Sequence, residues 1–381
     1  MSTSPAAGAA RGRAARDPFV DALRAIALLG VLVVNAMSYP AGPSGSPLGL
    51  PIPADSPAAL VTLGLVAWWL QGKAYPLLAF LFGYSVALAL RQPSAALRAY
   101  RRRRMVRLLL LGGLHGALLY AGDILTLYAV AGLVLLGWPP APLRRWVARW
   151  RFFAALALAA FATGLALTLG PAAFGMAFRV TPTYGDVLGV ADFVALNGNS
   201  YVGSLPGAAI LFLPEVLMLM TAGYIAGRVR WLTHGRWQPA RRAMAVRLLP
   251  AALLLNLLYA VIMTRAAANN SAWQWVWLLV GLPAGWLLSA AIGASLASWW
   301  ATSRPALVAA LAPLGRYTLS IYVGHSLLCA CFFSGAGLAW PLGSVGLVIW
   351  AAGLWGLCGL LAHWAARRGF HGPLEGWMIR A

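Results

Sequence analysis

The sequence predicts an all-α fold, a polytopic bundle of about ten transmembrane helices with both the N and the C terminus in the cytoplasm. Of its 381 residues, 61% are hydrophobic and only 10% are charged. Soluble domains carry about 25% charged residues, so this apolar excess must face lipid. Long apolar runs alternate with arginine clusters along the whole chain, which leaves no room for a large soluble domain.

Apolar runs along the chain are the candidates for membrane helices, since a transmembrane helix needs about 20 residues. We interpret the first run as an uncleaved span rather than as a secretory signal peptide. The runs are 22–38, 58–71, 75–90, 105–121, 124–138, 152–170, 207–227, 247–264, 273–298, 316–334 and 342–365.

Positive charge decides which of these runs cross the membrane. The chain has 29 Lys and Arg against 8 Asp and Glu, a net charge of +21, and basic residues collect in cytoplasmic loops. All basic clusters fall on one side only if run 58–71 does not cross, and Trp68 and Trp69 favour an interfacial or re-entrant position for it. The charge then needs no nucleic-acid partner. The clusters lie at 11–24, 91–107, 144–151, 228–247, 304–316 and 367–380.

The chain divides into a membrane domain and two short tails. Residues 1–20 are predicted to be a disordered basic tail, 21–366 the transmembrane domain, and 367–381 a cytoplasmic C-terminal tail. The longest extracytoplasmic segments would be 39–74, which is rich in Pro and Gly, and 171–206. The three cysteines lie in apolar runs without CxxC spacing, which predicts neither a disulfide nor a metal site.

Four polar residues from different apolar runs are predicted to lie in the outer half of the membrane: His115, Asp123, Asn35 and Glu215. A charged group at membrane depth costs at least about 2.5 kcal/mol on insertion scales, so each indicates a functional site. A histidine can act as a general base, a carboxylate can orient it, and an amide can stabilise an oxyanion. The four residues therefore predict a catalytic site for acyl transfer, with either Asp123 or Glu215 as the carboxylate.

Structural roles are the alternative for the same residues. A membrane histidine such as His115 or His325 also forms hydrogen bonds with a neighbouring backbone or hydroxyl group, and Asp123 is a favoured N-cap for a helix beginning at Ile124. Glu215 is harder to explain in this way, because an unpaired acid at that depth would be protonated or would find a partner. The sequence spacing leaves open whether His115 and Asp123 share a cavity.

Arginines at the predicted inner ends of neighbouring spans indicate where a phosphorylated donor would bind. Arg101, Arg102, Arg104 and Arg144 could hold the phosphates of a nucleotide-like cofactor. Topology alone also explains these arginines, since inner loops collect basic residues.

Ordered motifs run along nearly the whole chain. They are the stretch 21–30 with Val34 and Asn35, the stretch 75–83, Leu114 and His115 with the stretch 122–129, the stretch 315–320 and the stretch 372–375. In this order they resemble the motifs of the YeiB-like bacterial membrane proteins, which carry the domain of unknown function 418. The chain departs from that pattern at Ala25, where glycine is usual, and at Ser320 and His325, where asparagine and glutamine are usual.

The resemblance implies a multi-pass protein of the bacterial inner membrane, with its YeiB-like region at roughly 225–381. The family is similar to the membrane acyltransferases, including the heparan glucosaminide N-acetyltransferase type, in which an acyl group from cytoplasmic acyl-CoA reaches an acceptor on the other face. Asn35 matches an active-site asparagine of that type. The catalytic histidine of that type lies in the following loop, but residues 39–57 contain no histidine, so His115 would have to replace it.

The leading hypothesis is the transfer of an acyl group from acyl-CoA, without a metal, to a hydroxyl or amine on an extracytoplasmic cell-envelope glycan or lipid. His115 would be the base, Asp123 or Glu215 would orient it, and Asn35 would donate to the oxyanion. The alternative is a proton-coupled transporter for a small solute, in which the membrane carboxylates and histidines carry protons. A purely structural or lipid-organising protein is the third hypothesis.

Overall fold

The computed structural model describes residues 17–40, 56–91, 94–173, 183–268, 273–303 and 306–379, and this part of the chain consists of helices, turns and loops. The predicted all-α fold is confirmed for these residues. The helices are α1 (Pro18–Ser38), α2 (Pro57–Trp69), α3 (Ala74–Ala89), α4 (Ala95–Leu118), α5 (Leu125–Gly137), α6 (Leu143–Ala173), α7 (Val190–Gly207), α8 (Leu213–Arg228), α9 (Gln238–Ala268), α10 (Trp273–Ser303), α11 (Ala306–Leu311), α12 (Thr318–Phe333), α13 (Ser344–Arg367) and α14 (Pro373–Ile379).

Seven helical stretches of the described chain are long and apolar enough to cross a membrane. An eighth is added if Ala306–Arg316 and Thr318–Phe333, which meet at an angle of 70°, form one broken span. These helices make the chain a membrane protein. The seven stretches are Pro18–Ser38, Pro57–Ala89, Leu143–Gly170, Val190–Arg228, Gly235–Ala266, Val276–Ser303 and Ser344–Arg367.

Three of these helices present large apolar side chains to the surroundings. Leu167 on α6 is 68% exposed, Leu254 on α9 is 67% exposed, and Leu360 on α13 is 72% exposed. Continuous apolar surface of this kind is unfavourable in water and ordinary against lipid tails. The outer surface of the bundle is therefore suited to a bilayer.

Two predicted spans, α4 and α5, are not among the seven stretches. The N-terminal half of α4 carries the arginines 101–104 and Arg107, and α5 has only 13 residues. Residues of α4 beyond Arg107 are apolar as far as His115. Charge excludes α4 from these stretches and short length excludes α5, so the stretches are fewer than the predicted total of about ten spans.

Two segments are organised differently from the sequence prediction. Run 58–71 forms α2, which leads through a turn at 70–73 into α3 and packs against α9 and α13. The predicted extracytoplasmic segment 171–206 contains helix α7, which continues through the π-helical turn Ala208–Phe212 into α8. Prolines flank this turn at 206 and 214, and because proline lacks an N–H it interrupts regular helical hydrogen bonding.

Both predicted tails contain helix. Residues 1–16, like residues 41–55 of the first predicted outer loop, lie outside the described residues, but Asp17 accepts a hydrogen bond from the N–H of Phe19 and starts α1. In the C-terminal tail, Glu375 on α14 accepts hydrogen bonds from the N–H groups of Leu319 (2.9 Å) and Ser320 (3.1 Å). Glu375 thereby supplies the N-terminal cap of α12 from another helix.

Helices α3 and α8 cross with their backbones in contact, because both carry glycine at the crossing. A Cβ atom added to Gly83 would lie 1.9 Å from the carbonyl oxygen of Met220, and one added to Gly223 would lie 1.9 Å from that of Phe80. Small residues allow this close approach in membrane proteins. The crossing holds Glu215, on α8, beside the first turn of α3.

Candidate functional site

His115 and Asp123 form a buried, hydrogen-bonded pair. The chain reverses between them, since α4 ends at Leu118 and α5 begins at Leu125. Nδ1 of His115 lies 2.9 Å from Oδ1 of Asp123, and both side chains are 0% exposed. Two residues that sequence reasoning assigned to one site are therefore in direct contact.

Asp123 also caps helix α5. Its Oδ1 accepts a hydrogen bond from the N–H of Leu125 (3.1 Å), and its Oδ2 accepts one from that of Thr126 (2.8 Å). Both carboxylate oxygens therefore act as acceptors at the N-terminal end of the helix. An ionised carboxylate only accepts hydrogen bonds, so the proton between the two side chains belongs to Nδ1 of His115. The capping role and the histidine contact thus coexist in one side chain.

The other ring nitrogen of His115 contacts a residue that the sequence did not single out. Nε2 lies 2.9 Å from Oγ of Ser326, a fully buried residue of α12. The order carboxylate, imidazole, hydroxyl is the order of the Ser-His-Asp catalytic triad. Ser326 could not be recognised in the sequence, because a serine in an apolar helix ordinarily bonds only its own backbone.

His325, next to Ser326 in the chain, contacts other groups. Its Nε2 lies 3.6 Å from Sγ of Cys329, and its ring centroid lies 5.5 Å from that of Trp350. His325 is thus held by its own helix and by α13.

Asn35 reaches the same region from α1. Its side chain lies within electrostatic range of Tyr322, whose ring centroid is 4.9 Å from that of His115. The amide nitrogen of Asn35 is buried and has no hydrogen-bond partner among the described residues. This donor therefore lies beside Tyr322 without a well-formed hydrogen bond, and a buried donor in that state is costly unless a ligand uses it.

Three tyrosine rings, Tyr39, Tyr120 and Tyr184, pack together beside His115, where Tyr120 meets the imidazole edge-on with centroids 6.4 Å apart, and we call them the tyrosine cover. The ring centroid of Tyr39 lies 5.6 Å from that of Tyr120 and 5.1 Å from that of Tyr184. The hydroxyl of Tyr39 lies 2.8 Å from the carbonyl oxygen of Leu119 and 2.9 Å from that of Ser326. The tyrosine cover thus connects the end of α1 to the end of α4 and to α12.

Glu215 belongs to a different polar cluster. Its Oε1 accepts hydrogen bonds from the hydroxyl of Tyr75 (2.7 Å) and from the indole N–H of Trp286 (2.6 Å), and Oε2 has no partner among the described residues. The carboxyl group borders a narrow cavity of about 10 Å³, room for about one water molecule. Of the two carboxylates predicted to orient His115, Asp123 contacts it and Glu215 is bonded elsewhere.

We expect Glu215→Ala to lower the thermal unfolding temperature in nanodiscs. The substitution leaves two buried donors, Tyr75 and Trp286, without an acceptor, at a cost of roughly 1–3 kcal/mol each. Glu215→Gln keeps an acceptor oxygen at this position and should unfold close to the wild-type temperature. Equal unfolding temperatures for Glu215→Ala and the wild type would contradict this role.

The predicted donor-binding arginines are divided among three surroundings. Arg101 and Arg104 lie together on the N-terminal half of α4, near Arg24 of α1, and burial, then the charge of Arg104, lowers the pKa of Arg101 to about 10. Arg102 lines a surface groove of about 620 Å³ with Arg103 and Arg107. The fourth, Arg144, is exposed at the first turn of α6.

Of the four predicted donor-binding arginines, Arg101 and Arg104 have the partly buried guanidinium groups that fit an anion. The Nε atoms of Arg101 and Arg104 are buried without a hydrogen-bond partner among the described residues. Arg24 is neutralised in part by Asp21, 2.6 Å away, and also bonds Ser85. A bound phosphate would satisfy both Nε groups and relieve the repulsion between the two charges.

Metal ligands are not grouped in the described part of the chain. No set of three His, Cys, Asp or Glu side chains there could hold a metal ion. The three cysteines are free thiols.

Comparison with known proteins agrees with this architecture. A family model described as "Protein of unknown function (DUF418)" matches residues 226–381. The "Uncharacterized protein YeiB" of Escherichia coli (strain K12) is 28% identical over 400 aligned positions, which cover 96% of this chain and 95% of that protein. The chain is thus similar to YeiB over nearly its whole length, and its C-terminal region matches the DUF418 model.

A second relative is matched over a shorter stretch. The "Uncharacterized protein YxaH" of Bacillus subtilis (strain 168) is 34% identical over 125 residues, or 31% of each chain. The DUF418 region of this chain runs from the end of α8 to the C terminus and includes Ser326 and Glu375. His115, Asp123 and Asn35 precede that region, so the site combines residues from inside and outside the matched region.

Proposed function

We propose that this protein is an acyltransferase of the bacterial inner membrane. It would move an acyl group from cytoplasmic acyl-CoA to a hydroxyl or amine of a cell-envelope glycan or lipid outside the membrane. In this proposal about ten helices, including α4 and α5, cross the bilayer. Both termini are cytoplasmic, with the membrane domain at 21–366 between two cytoplasmic tails, because this arrangement places every arginine cluster on the inner side.

One observation carries the proposal: the hydrogen bond between His115 and Asp123 in a fully buried environment. The carboxylate fixes the proton on Nδ1 and leaves Nε2 as a base. It also stabilises the imidazolium that forms when the base accepts a proton. A histidine held in this way suits the deprotonation of a nucleophile in acyl transfer.

Asn35 is assigned to the oxyanion that forms during transfer. Its buried amide N–H lacks a partner among the described residues and lies near Tyr322, which packs on the His115 ring. A positioned donor of this type stabilises the negative charge that develops on the carbonyl oxygen, and its loss typically costs about 10²–10³ in rate.

The paired guanidinium groups of Arg101 and Arg104 are assigned to the phosphates of acyl-CoA. They lie on the same helix as His115, about 21 Å from it along the axis at 1.5 Å per residue. The thioester of acyl-CoA sits at the end of a long flexible arm, so phosphates held at Arg101 allow the thioester to approach His115 along α4. The exposed Arg102 and Arg144 would add positive charge at the entrance to this proposed donor site rather than contact the phosphates directly.

Titration calorimetry of acyl-CoAs of increasing chain length into protein in nanodiscs tests the donor site. We expect Arg101→Ala to weaken binding about tenfold to a hundredfold, because a charge-assisted hydrogen bond contributes roughly 1.5–3 kcal/mol. The exposed Arg247 of α9 is the matched control, and Arg247→Ala should bind as the wild type does. Absence of binding for every acyl-CoA would remove the proposed donor.

A proton-coupled transporter is the second candidate, and the Glu215 cluster is the observation that favours it. A buried carboxyl group with one unpartnered oxygen beside a water-sized cavity is typical of proton-carrying sites in membranes. A flux assay in proteoliposomes distinguishes the candidates. A transporter would acidify the vesicle lumen with solute uptake, lose this in Glu215→Gln, and consume no acyl donor.

A further inference from the structure

We propose that Ser326 is a catalytic nucleophile that carries the acyl group as an ester between donor and acceptor. The inference rests on the acyl transfer proposed above and adds a covalent intermediate to it. His115 would then act on Ser326 first and on the acceptor second.

Ser326 lies closer to a side chain of another helix than to the backbone of its own helix, unlike three other helical serines that keep a short backbone bond. A serine in an α-helix commonly donates to the carbonyl oxygen four residues earlier. For Ser326 that distance, to Tyr322, is 3.3 Å, whereas His115 Nε2 is 2.9 Å away. The comparison serines keep the helical bond at 2.6–2.8 Å: Ser85, Ser295 and Ser334.

The proton positions follow from the acceptors around His115. Nδ1 carries a proton because Asp123 can only accept, so Nε2 of the neutral ring is an acceptor. The hydroxyl of Ser326 therefore donates to Nε2. When the ring becomes an imidazolium, its Nε2–H donates to Oγ of Ser326. That oxygen is then either deprotonated or bonded to the acyl carbon. This is the pattern required for the base-assisted attack of a serine hydroxyl.

The first half-reaction forms the ester. Oγ of Ser326 attacks the thioester carbonyl while Nε2 of His115 accepts the hydroxyl proton. The tetrahedral oxyanion collapses, the carbon–sulfur bond breaks, and the thiolate takes the proton from His115 and leaves as free CoA. The products are CoA and an acyl ester at Ser326.

The second half-reaction returns the enzyme to its starting state. His115 accepts a proton from the acceptor hydroxyl or amine, which attacks the ester carbonyl. The bond between the acyl carbon and Oγ breaks, and His115 protonates Oγ to restore the serine. No metal, oxidant or reductant is required in either half, and Asp123 acts as a positioning residue throughout.

Exchange of labelled CoA into unlabelled acetyl-CoA, without acceptor, is the experiment that tests this intermediate. Exchange requires that the enzyme release CoA while it retains the acyl group. We expect exchange by the wild type in nanodiscs and a loss of roughly 10⁴-fold or more in Ser326→Ala. Ser334→Ala is the matched control, because Ser334 is equally buried at the end of the same helix and bonds only a backbone carbonyl.

Ser326→Cys supplies a readout that does not depend on the fold of the alanine variant. Acid-quenched wild-type protein should carry one acyl group on the peptide that contains Ser326, resistant to neutral hydroxylamine as an oxygen ester. The adduct on Ser326→Cys should be a thioester, which neutral hydroxylamine removes. If this single substitution changes the sensitivity of the adduct to hydroxylamine, the acyl group is attached to residue 326.

The outcomes separate this inference from the proposed function. Acyl transfer by the wild type without exchange or adduct would show direct transfer, which overturns the role of Ser326 and leaves the acyltransferase proposal standing. Exchange that persists in Ser326→Ala would assign the acyl group to another residue and also overturn the inference. A wild-type protein that shows no acyl transfer and no CoA exchange would overturn the proposed function itself.

Discussion

His115→Ala should lower the rate of acyl transfer by about 10⁴-fold, the loss typical of removing the base from a hydrogen-bonded triad. The substitution removes the imidazole ring that contacts both Asp123 and Ser326. The rate is measured as acyl-CoA consumed per protein in nanodiscs with acceptor lipid present. His363→Ala is the control, because the His363 ring hydrogen-bonds the backbone carbonyl of Gly359 in its own helix.

Asp123→Asn isolates the orientation of His115 from the cap of α5. Asparagine remains a good N-cap, so the unfolding temperature should change little. Its side chain can donate to Nδ1, which reverses the tautomer of His115 and costs about 10⁴-fold in rate when it occurs in a triad. A fully active His115→Ala or Asp123→Asn variant would end the assignment of His115 as base.

Gly223→Ala should be among the most destabilising single-methyl changes in the protein. The added Cβ would lie 1.9 Å from the carbonyl oxygen of Phe80 and 3.0 Å from the backbone nitrogen of Tyr84. A backbone cannot move aside as a side-chain end can, so α3 and α8 must separate, at a cost of about 1–3 kcal/mol or more. The measurement is the thermal unfolding temperature in nanodiscs.

Gly353→Ala is the matched control for this glycine. Gly353 lies within α13 with no atom within 4 Å of an added Cβ, so alanine should leave stability unchanged or raise it slightly through helix propensity. Equal unfolding temperatures for Gly223→Ala and Gly353→Ala would show that the α3–α8 crossing tolerates separation.

The fold class could be predicted from the sequence because it depends on composition and on the length of apolar runs. The limits of α4 and α7 could not. Arginine interrupts the hydropathy of α4, and α7 continues into α8 through the π-helical turn near two prolines, which ordinarily indicate a helix end. The sequence therefore predicted an outer segment that ends at residue 206, whereas α7 continues there into α8 through the π-helical turn.

The contact between His115 and Asp123 was within reach of the sequence, but its geometry was not. Gly122 and the residues around it reverse the chain between α4 and α5, and only the angle of that reversal brings the two side chains together. Ser326 follows His115 by more than 200 residues, so its proximity depends on how α12 packs. Glu215 was predicted to share this site, yet the α3–α8 crossing directs it to Tyr75 and Trp286.

Two ordered motifs acquire a physical explanation from the cap of α12. The stretch 315–320 ends at the first turn of α12, and the stretch 372–375 ends at Glu375. The carboxylate of Glu375 accepts hydrogen bonds from the N–H groups of Leu319 and Ser320 in that first turn. Neither motif could form this arrangement alone. The helix that carries Ser326 is thus positioned at its start by the C-terminal end of the chain.

The tyrosine cover determines how an acyl ester in this site would be partitioned between competing nucleophiles. Water is present at about 55 M in bulk solvent, far above any lipid or glycan acceptor, so an open serine ester would be lost mainly to hydrolysis. We expect the tyrosine rings, which pack beside His115 and are held by the Tyr39 hydroxyl at the backbone carbonyls of Leu119 and Ser326, to lower the local activity of water. A site sealed in this way favours transfer over hydrolysis, and loosening it with Tyr39→Phe would convert part of the transferase turnover into thioesterase turnover.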